Sequence, residues 1–131
     1  MALLLDTHAV LWYVIGSPEL SETARNIIDA QSELVFSIAS VWEISIKLNI
    51  GKLQLNCSFD DLLVRVAVMR AEILPISIED TRTYIDLPLP SKPKHRDPFD
   101  RILIAQAINN SLTIVSADAA FDIYPIQRVW A

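Results

Sequence analysis

The sequence predicts an α/β fold: a three-layer α/β/α sandwich around a central parallel sheet of about four to five strands. Three observations lead there. The apolar runs "ALLL", "LVFS" and "LTIV" suit buried strands and are too short for ordinary helices. Longer stretches with apolar residues at helical spacing separate them. Strands alternating with helices imply βαβ units, whose parallel sheet is covered on both faces. At 131 residues the chain is expected to form one domain over residues 1–131.

Each element has a local reason. Residues 2–5 form a strand that ends at Asp6. A helix over 7–15 follows and is stopped by Gly16-Ser17-Pro18. Ser21 opens a helix within 20–31, with apolar residues at 24, 27 and 28. Residues 34–37 form the second strand. The helix 38–52 stops near Gly51, and 59–71 is a further amphipathic helix. A third strand is expected at 72–77 and a short helix at 79–86. Residues 87–96, "LPLPSKPKHR", carry three prolines and four basic side chains. They are expected to be a loop, because proline blocks regular structure. The helix 98–110, the strand 112–115, a turn at "SADAAF" and a last strand near 126–129 complete the chain.

Composition removes several function classes. Only two glycines are present, and neither GxxxxGK[ST] nor GxGxxG occurs, so a Gly-rich phosphate loop is not expected. The formal net charge of −5 gives no general attraction for nucleic acid; any such binding needs clustered basic groups. The single cysteine, Cys57, cannot form an internal disulfide, which suits a reducing cytoplasm. The apolar N-terminus lacks Lys or Arg before its apolar run and is interrupted by Asp6 and His8. It is a poor signal peptide and a poor membrane span. A soluble cytoplasmic protein without membrane association is the expectation.

The carboxylates carry the chemistry. Asp6 directly follows the first strand, and Asp118 lies three residues beyond "LTIV". Glu43 lies in the helix after the second strand, and Asp100 in the first turn of the helix before the fourth. In an open parallel sheet, ligands bind beyond the carboxyl ends of the strands. Each acid also has a local explanation. Asp6 and Asp118 suit helix caps; Glu43 suits a capping box with Ser40 or a pair with Lys47. Asp97 suits an N-cap, with Pro98 at the first helical position and Asp100 bonding back. Taken together, four converging carboxylates would repel one another, and such a cluster persists mainly around a cation. An all-oxygen donor set suits a hard ion, Mg²⁺ or Mn²⁺, rather than structural zinc. The usual chemistry of such ions is phosphoryl transfer or phosphodiester hydrolysis.

The stretches "LLLDTHAVLW", "ASVWEISIKLNIGKL", "HRDPFDRILIAQA" and "LTIVSADAAF" resemble the PIN-domain family. Within it they are most similar to the VapC-type toxins of bacterial toxin–antitoxin pairs. The likeness runs from about residue 3 to the C-terminus, with the motifs in family order. It implies a PIN-like parallel sheet and a metal-dependent endoribonuclease acting on single-stranded RNA. Carried over by position, the catalytic and metal-binding acids are Asp6, Glu43, Asp100 and Asp118. The third acid of the family lies seven residues before the second alanine of an "IAxA" string, which here counts back from Ala107 to Asp100. Thr7, Asp97 and Ser116 are expected to support those acids. Ala117, between Ser116 and Asp118, departs from the more polar residue of many relatives; the serine and the acid remain. The likeness also implies a homodimer and an antitoxin that blocks the acidic pocket. The apolar stripe at 59–71 and the apolar first helix are candidate covered surfaces.

Basic groups sit beside these acids. Lys94, His95, Arg96 and Arg101, with Lys92 and the more distant Lys47, are candidate contacts for RNA phosphates; a solvated loop is the plainer reading. His8 is a candidate substrate contact or a packing residue. Trp12, Tyr13 and Trp42 are candidates for stacking bases or for filling the core. A phospho-acceptor receiver domain is disfavoured, because its acid pair is absent after the first strand. A haloacid-type phosphatase is disfavoured because "DTH" lacks the second aspartate. A non-catalytic PIN-like module that binds RNA or protein is the remaining alternative.

Overall fold

The computed structural model describes residues 2–31 and 33–131. Among the described residues, thirteen elements follow one another, with helical segments between successive strands. β1 (Leu3–Leu5) leads into α1 (Thr7–Ile15) and α2 (Glu22–Ala30). β2 (Leu34–Ser37) passes directly into α3 (Ile38–Asn49). α4 (Phe59–Val68), β3 (Ala71–Leu74) and α5 (Ile78–Ile85) complete the first half. Then come a 3₁₀ turn at Pro93–His95, α6 (Pro98–Asn110), β4 (Thr113–Val115), a 3₁₀ segment at Ala119–Ile123, and β5 (Arg128–Val129).

The five strands form one sheet in the order β3-β2-β1-β4-β5, and every pairing is parallel. Side chains alternate across it, as a strand requires. Leu3, Leu5, Leu34, Phe36 and Val115 pack on one face with residues of α1 to α4. Leu4 and Ile114 pack on the other with Leu103, Ile104 and Ala107 of α6. The three-layer α/β/α sandwich is therefore present. The chain builds outward from β1 to β3 and then returns to lay β4 on β1's other side. That reversal opens a crevice at the carboxyl ends of β1 and β4, where α/β folds bind ligands.

Boundaries differ from the sequence reading where backbone conformation decides them. The helix expected over 59–71 ends at Val68, because Arg70 takes a left-handed conformation (φ 62°). The chain turns there and β3 begins at Ala71. The strand expected over 72–77 stops at Leu74, since Pro75 has no N–H to offer a ladder. α3 ends at Asn49, and Gly51 (φ 74°) supplies the reversal just beyond it. The proline-rich 87–96 stretch is not wholly irregular: Pro93 sits at the start of a single 3₁₀ turn, where its missing N–H has no partner to lose. Among the described residues, no helix is long and apolar enough to cross a membrane.

Candidate functional site

Asp6, Glu43, Asp97, Asp100 and Asp118 line one cavity of about 120 Å³, together with Thr7, His8 and Lys47. The sheet accounts for the first and last of the acids. The backbone N–H of Asp6 donates to the Val115 carbonyl at 3.1 Å, extending the β1–β4 ladder by one residue. The residues leaving those two strands therefore start side by side.

Asp6 both caps and serves the cavity. Its Oδ1 accepts from the Ala9 N–H at 2.8 Å. Burial raises its pKa, against the opposing effects of Ser116 and the Ala9 N–H. Ser116 is fully buried; its Oγ accepts from the Asp118 N–H at 3.0 Å. Asp118 in turn caps the 3₁₀ segment through the Ala120 N–H at 2.9 Å. Arg128 of β5 donates to the Ser116 carbonyl at 3.0 Å and pairs with Asp122 at 2.8 Å. Those bonds fasten the turn that carries Asp118. Arg128 escaped the sequence reading, where "IQRV" registered only as a strand.

Glu43 is held differently from either local explanation alone. Ser37, not Ser40, caps α3, so no capping box forms with Ser40. Thr7 Oγ1 donates to Glu43 Oε1 at 2.6 Å and lies 2.9 Å from the Ser40 hydroxyl. Lys47 Nζ pairs with Glu43 Oε2 at 3.2 Å, as the i, i+4 spacing predicts. Thr7 thus touches one of the four acids directly, and Ser116 supports two.

Asp97 and Asp100 have different positions. Asp97 Oδ1 accepts from the Phe99 N–H at 2.8 Å, with Pro98 at the first helical position. That is the predicted cap. The expected bond back from Asp100 is not among the bonds of this cap. Asp100 instead faces the cavity, and its pKa is raised to about 7. Burial is the largest cause, followed by the charges of Asp97, Glu43, Asp6 and Asp118. Asp97, expected only to support the site, is therefore also one of its charges.

The expected RNA contacts divide. Lys94 and His95 line a small recess with Asp100 and Asp118. Lys47, Lys94 and Arg96 line a larger groove of about 500 Å³ that shares Glu43, Lys47 and Asp97 with the acid cavity. Arg96 also donates from Nε to the Pro90 carbonyl at 2.7 Å. Arg101 must be reassigned. It is 4% exposed, and its Nη1 donates to the Pro88 carbonyl at 2.9 Å and the Tyr124 hydroxyl at 2.8 Å. Its guanidinium also lies over the Tyr84 ring at 5.1 Å. Arg101 is a buried clamp at the edge of the recess it lines with Asp100 and Asp118; from sequence its charge suggested a surface. His8 is exposed and its ring lies 5.3 Å from Trp12. Trp12 packs on Trp130, whereas Trp42 is 61% exposed and meets Phe99 edge-on at 5.3 Å.

The fit of a cation rests on donor chemistry and charge. The acids supply only oxygen, and they disfavour one another's ionisation at Asp100, which a hard divalent ion would reverse. Among the described residues, no three acidic, histidine or cysteine side chains stand close enough together to hold one ion. Closing the set around an ion therefore requires side-chain movement.

The PIN domain family model matches residues 3–126. No curated protein matches the chain. Several solved structures share the fold. A chain of VapBC2 from Rickettsia felis, bound to a promoter DNA fragment, has a TM-score of 0.67 at 16% identity, covering 100% of each chain. FitAcB from Neisseria gonorrhoeae has a TM-score of 0.62 at 20% identity, covering 96% of this chain and 95% of that one. DNA-bound VapBC from Salmonella typhimurium has a TM-score of 0.64 at 17% identity, covering 98% and 97%. A family model spanning nearly the whole chain, on a sheet that gathers the acids at its switch point, leads to one assignment: the chain belongs to the PIN-domain family.

Proposed function

We propose that the protein is a Mg²⁺- or Mn²⁺-dependent endoribonuclease of the VapC type, the toxin of a cytoplasmic toxin–antitoxin pair. The observation that carries this reading is the convergence of Asp6, Glu43, Asp100 and Asp118 on one cavity at the sheet's switch point. The fold neighbours add support, since they are VapBC assemblies. When bound, a hard divalent ion supplies Lewis acidity and charge neutralisation at a phosphodiester. Asp6, Asp100 and Asp118 are the residues that would hold it, with Glu43 completing the set.

The remaining tasks fall to backbone and side-chain groups with assigned bonds. Ala9 N–H and Ala120 N–H orient one oxygen each of Asp6 and Asp118. Thr7 and Lys47 hold the two oxygens of Glu43 apart, one on each. Burial and the neighbouring carboxylates raise the Asp100 pKa to about 7, so a proton and a cation would compete for its oxygens near neutral pH. An antitoxin that covers the cavity, and a second copy of the chain, are the proposed partners. The exposed Val64 and Val68 of α4 are candidate covered surface.

The test is cleavage of a mixed single-stranded RNA pool by the purified chain with Mn²⁺ or Mg²⁺, against Asp6→Asn and Asp100→Asn. Cleavage only by the wild type is expected. The spacing of the acids favours a second reading, a PIN-like module that binds without cutting. RNA binding with no cleavage under either metal would establish that module instead.

A further inference from the structure

The groove beside the acid cavity combines charge and apolar surface in a way the acids do not explain. It lies between the C-terminal half of α3 and the segment 93–99, and measures about 500 Å³. Lys47, Lys52, Lys94 and Arg96 line it, four cations against the two carboxylates Glu43 and Asp97. The whole chain carries a net charge of −5, so this is a local reversal of sign. Lys47 is neutralised by Glu43. Lys52 and Lys94 are exposed and make no ion pair among the described residues. Apolar surface from Ile46, Ile50 and Phe99 lies between the cations. Trp42, more than half exposed, stands against Phe99 at the groove's wall.

The groove is continuous with the acid cavity through Glu43, Lys47 and Asp97, which line both. Thr7 and His8 also line the acid cavity, and among the described residues Lys47 is the one Lys or Arg in its lining. A polyanion leaving the acids along this groove meets compensating charge from Lys52, Lys94 and Arg96, and Lys94 also lines the recess beside Asp100 and Asp118.

We propose that this groove is the track for single-stranded RNA flanking the cleaved bond. Lys52 and Lys94 contact backbone phosphates, and the Trp42–Phe99 pair stacks an unpaired base. The inference rests on the ribonuclease reading for its substrate class, but it makes its own claim about binding. Phosphate contacts appear as salt dependence, with about 0.7 of logarithmic slope for each contact to a single strand. Stacking contributes affinity that salt does not screen.

The experiment measures anisotropy of a fluorescein-labelled 12-nucleotide single-stranded RNA against the full chain carrying Asp100→Asn, from 50 to 200 mM NaCl. Lys52→Gln with Lys94→Gln is expected to reduce the slope of log K against log salt by about 1.4. Arg25→Gln with Arg82→Gln removes the same charge at positions lining neither cavity and is expected to leave the slope in place. Trp42→Ala is expected to weaken binding roughly tenfold with the slope unchanged. Melting curves of each variant confirm that it is folded. An equal fall in both double variants, or no fall in the groove variant, overturns the track. So does binding of a 12-residue poly-glutamate peptide through Lys52 and Lys94 with no binding of RNA, which would make the groove a peptide site. Wild-type cleavage is scored separately. A slope that falls as expected without cleavage keeps the track and removes the nuclease; cleavage with an unchanged slope does the reverse.

Discussion

Thr7 Oγ1 donates to Glu43 Oε1 at 2.6 Å, joining the first residue of α1 to the middle of α3. Both residues are buried, so the bond fixes a carboxylate that water cannot easily reorient. Thr7→Val keeps the shape and removes the donor. It is expected to cost about 1–3 kcal/mol, the usual penalty for a buried polar group left with fewer partners. RNA cleavage should fall as well, and Thr7→Ser should restore both. Urea denaturation and an Mn²⁺-dependent cleavage assay read the two effects.

Asp100 predicts a pH dependence with a definite sign. Its folded pKa of about 7 lies above the ordinary value of 3.8, so the folded state binds the proton more tightly than the unfolded chain. Its contribution is fully present below about pH 4 and is lost as pH rises through 7. The span corresponds to a loss on the order of 4 kcal/mol in the metal-free protein. Asp100→Asn removes that loss. Melting curves in EDTA from pH 5 to 8 should show the variant gaining on the wild type as pH rises. A constant difference across that range would contradict the assignment.

Adding Mn²⁺ should raise the wild-type melting midpoint, because an ion that binds only the folded chain stabilises it by mass action. At a hundredfold excess over the dissociation constant the gain is about 2.7 kcal/mol. Asp6→Asn and Asp100→Asn should each show a smaller rise at the same concentration. An identical rise in all three proteins would place the ion elsewhere.

Asp97 separates its two roles by choice of substitution. Asp97→Ala deletes the acceptor for the Phe99 N–H and is expected to cost about 0.5–2 kcal/mol. Asp97→Asn keeps an N-cap acceptor and removes the charge beside Asp100. The asparagine variant should therefore hold its stability while shifting the EDTA pH profile to lower pH. Denaturation and the melting series distinguish the two.

Arg101→Met tests the reassignment of that residue. It leaves the Pro88 carbonyl and Tyr124 hydroxyl without their donor, and a loss of about 1–3 kcal/mol is expected. The salt slope of RNA binding should not change, because a buried clamp touches no phosphate. Equilibrium denaturation and the salt titration together give the answer.

The architecture was legible because the strands carry their own signal. "LLL", "LVFS" and "TIV" are apolar through their length and bounded by helical spacing, so parallel pairing with two covered faces followed. The α6 boundaries were legible for a separate reason: Asp97 and Pro98 mark a start that needs no tertiary information. The end of α4 was not, since Arg70 is not a residue whose identity demands positive φ. At the site, the strand ends and the helix after the second strand placed Asp6, Asp118 and Glu43, and the resemblance singled out Asp100 by its spacing to Ala107. Burial could not be read from composition. Arg101 looked like a surface cation because no feature of "DRIL" announces that Tyr84, Tyr124 and Pro88 will enclose it. Asp97 was legible as a cap and as a support for the acids, but its charge on Asp100 was not, because that effect runs through space and not along the helix.

The bond from Asp6 N–H to the Val115 carbonyl has a consequence for the order of events during synthesis. Asp6 is made well before Asp118, and the strands that precede them, β1 and β4, are neighbours in the finished sheet. β1 waits for β4, so a nascent chain that has not yet made β4 and Asp118 has an unpaired strand edge and an incomplete set of acids. The acid cavity of a chain with this topology is complete only once the β1–β4 pairing has closed.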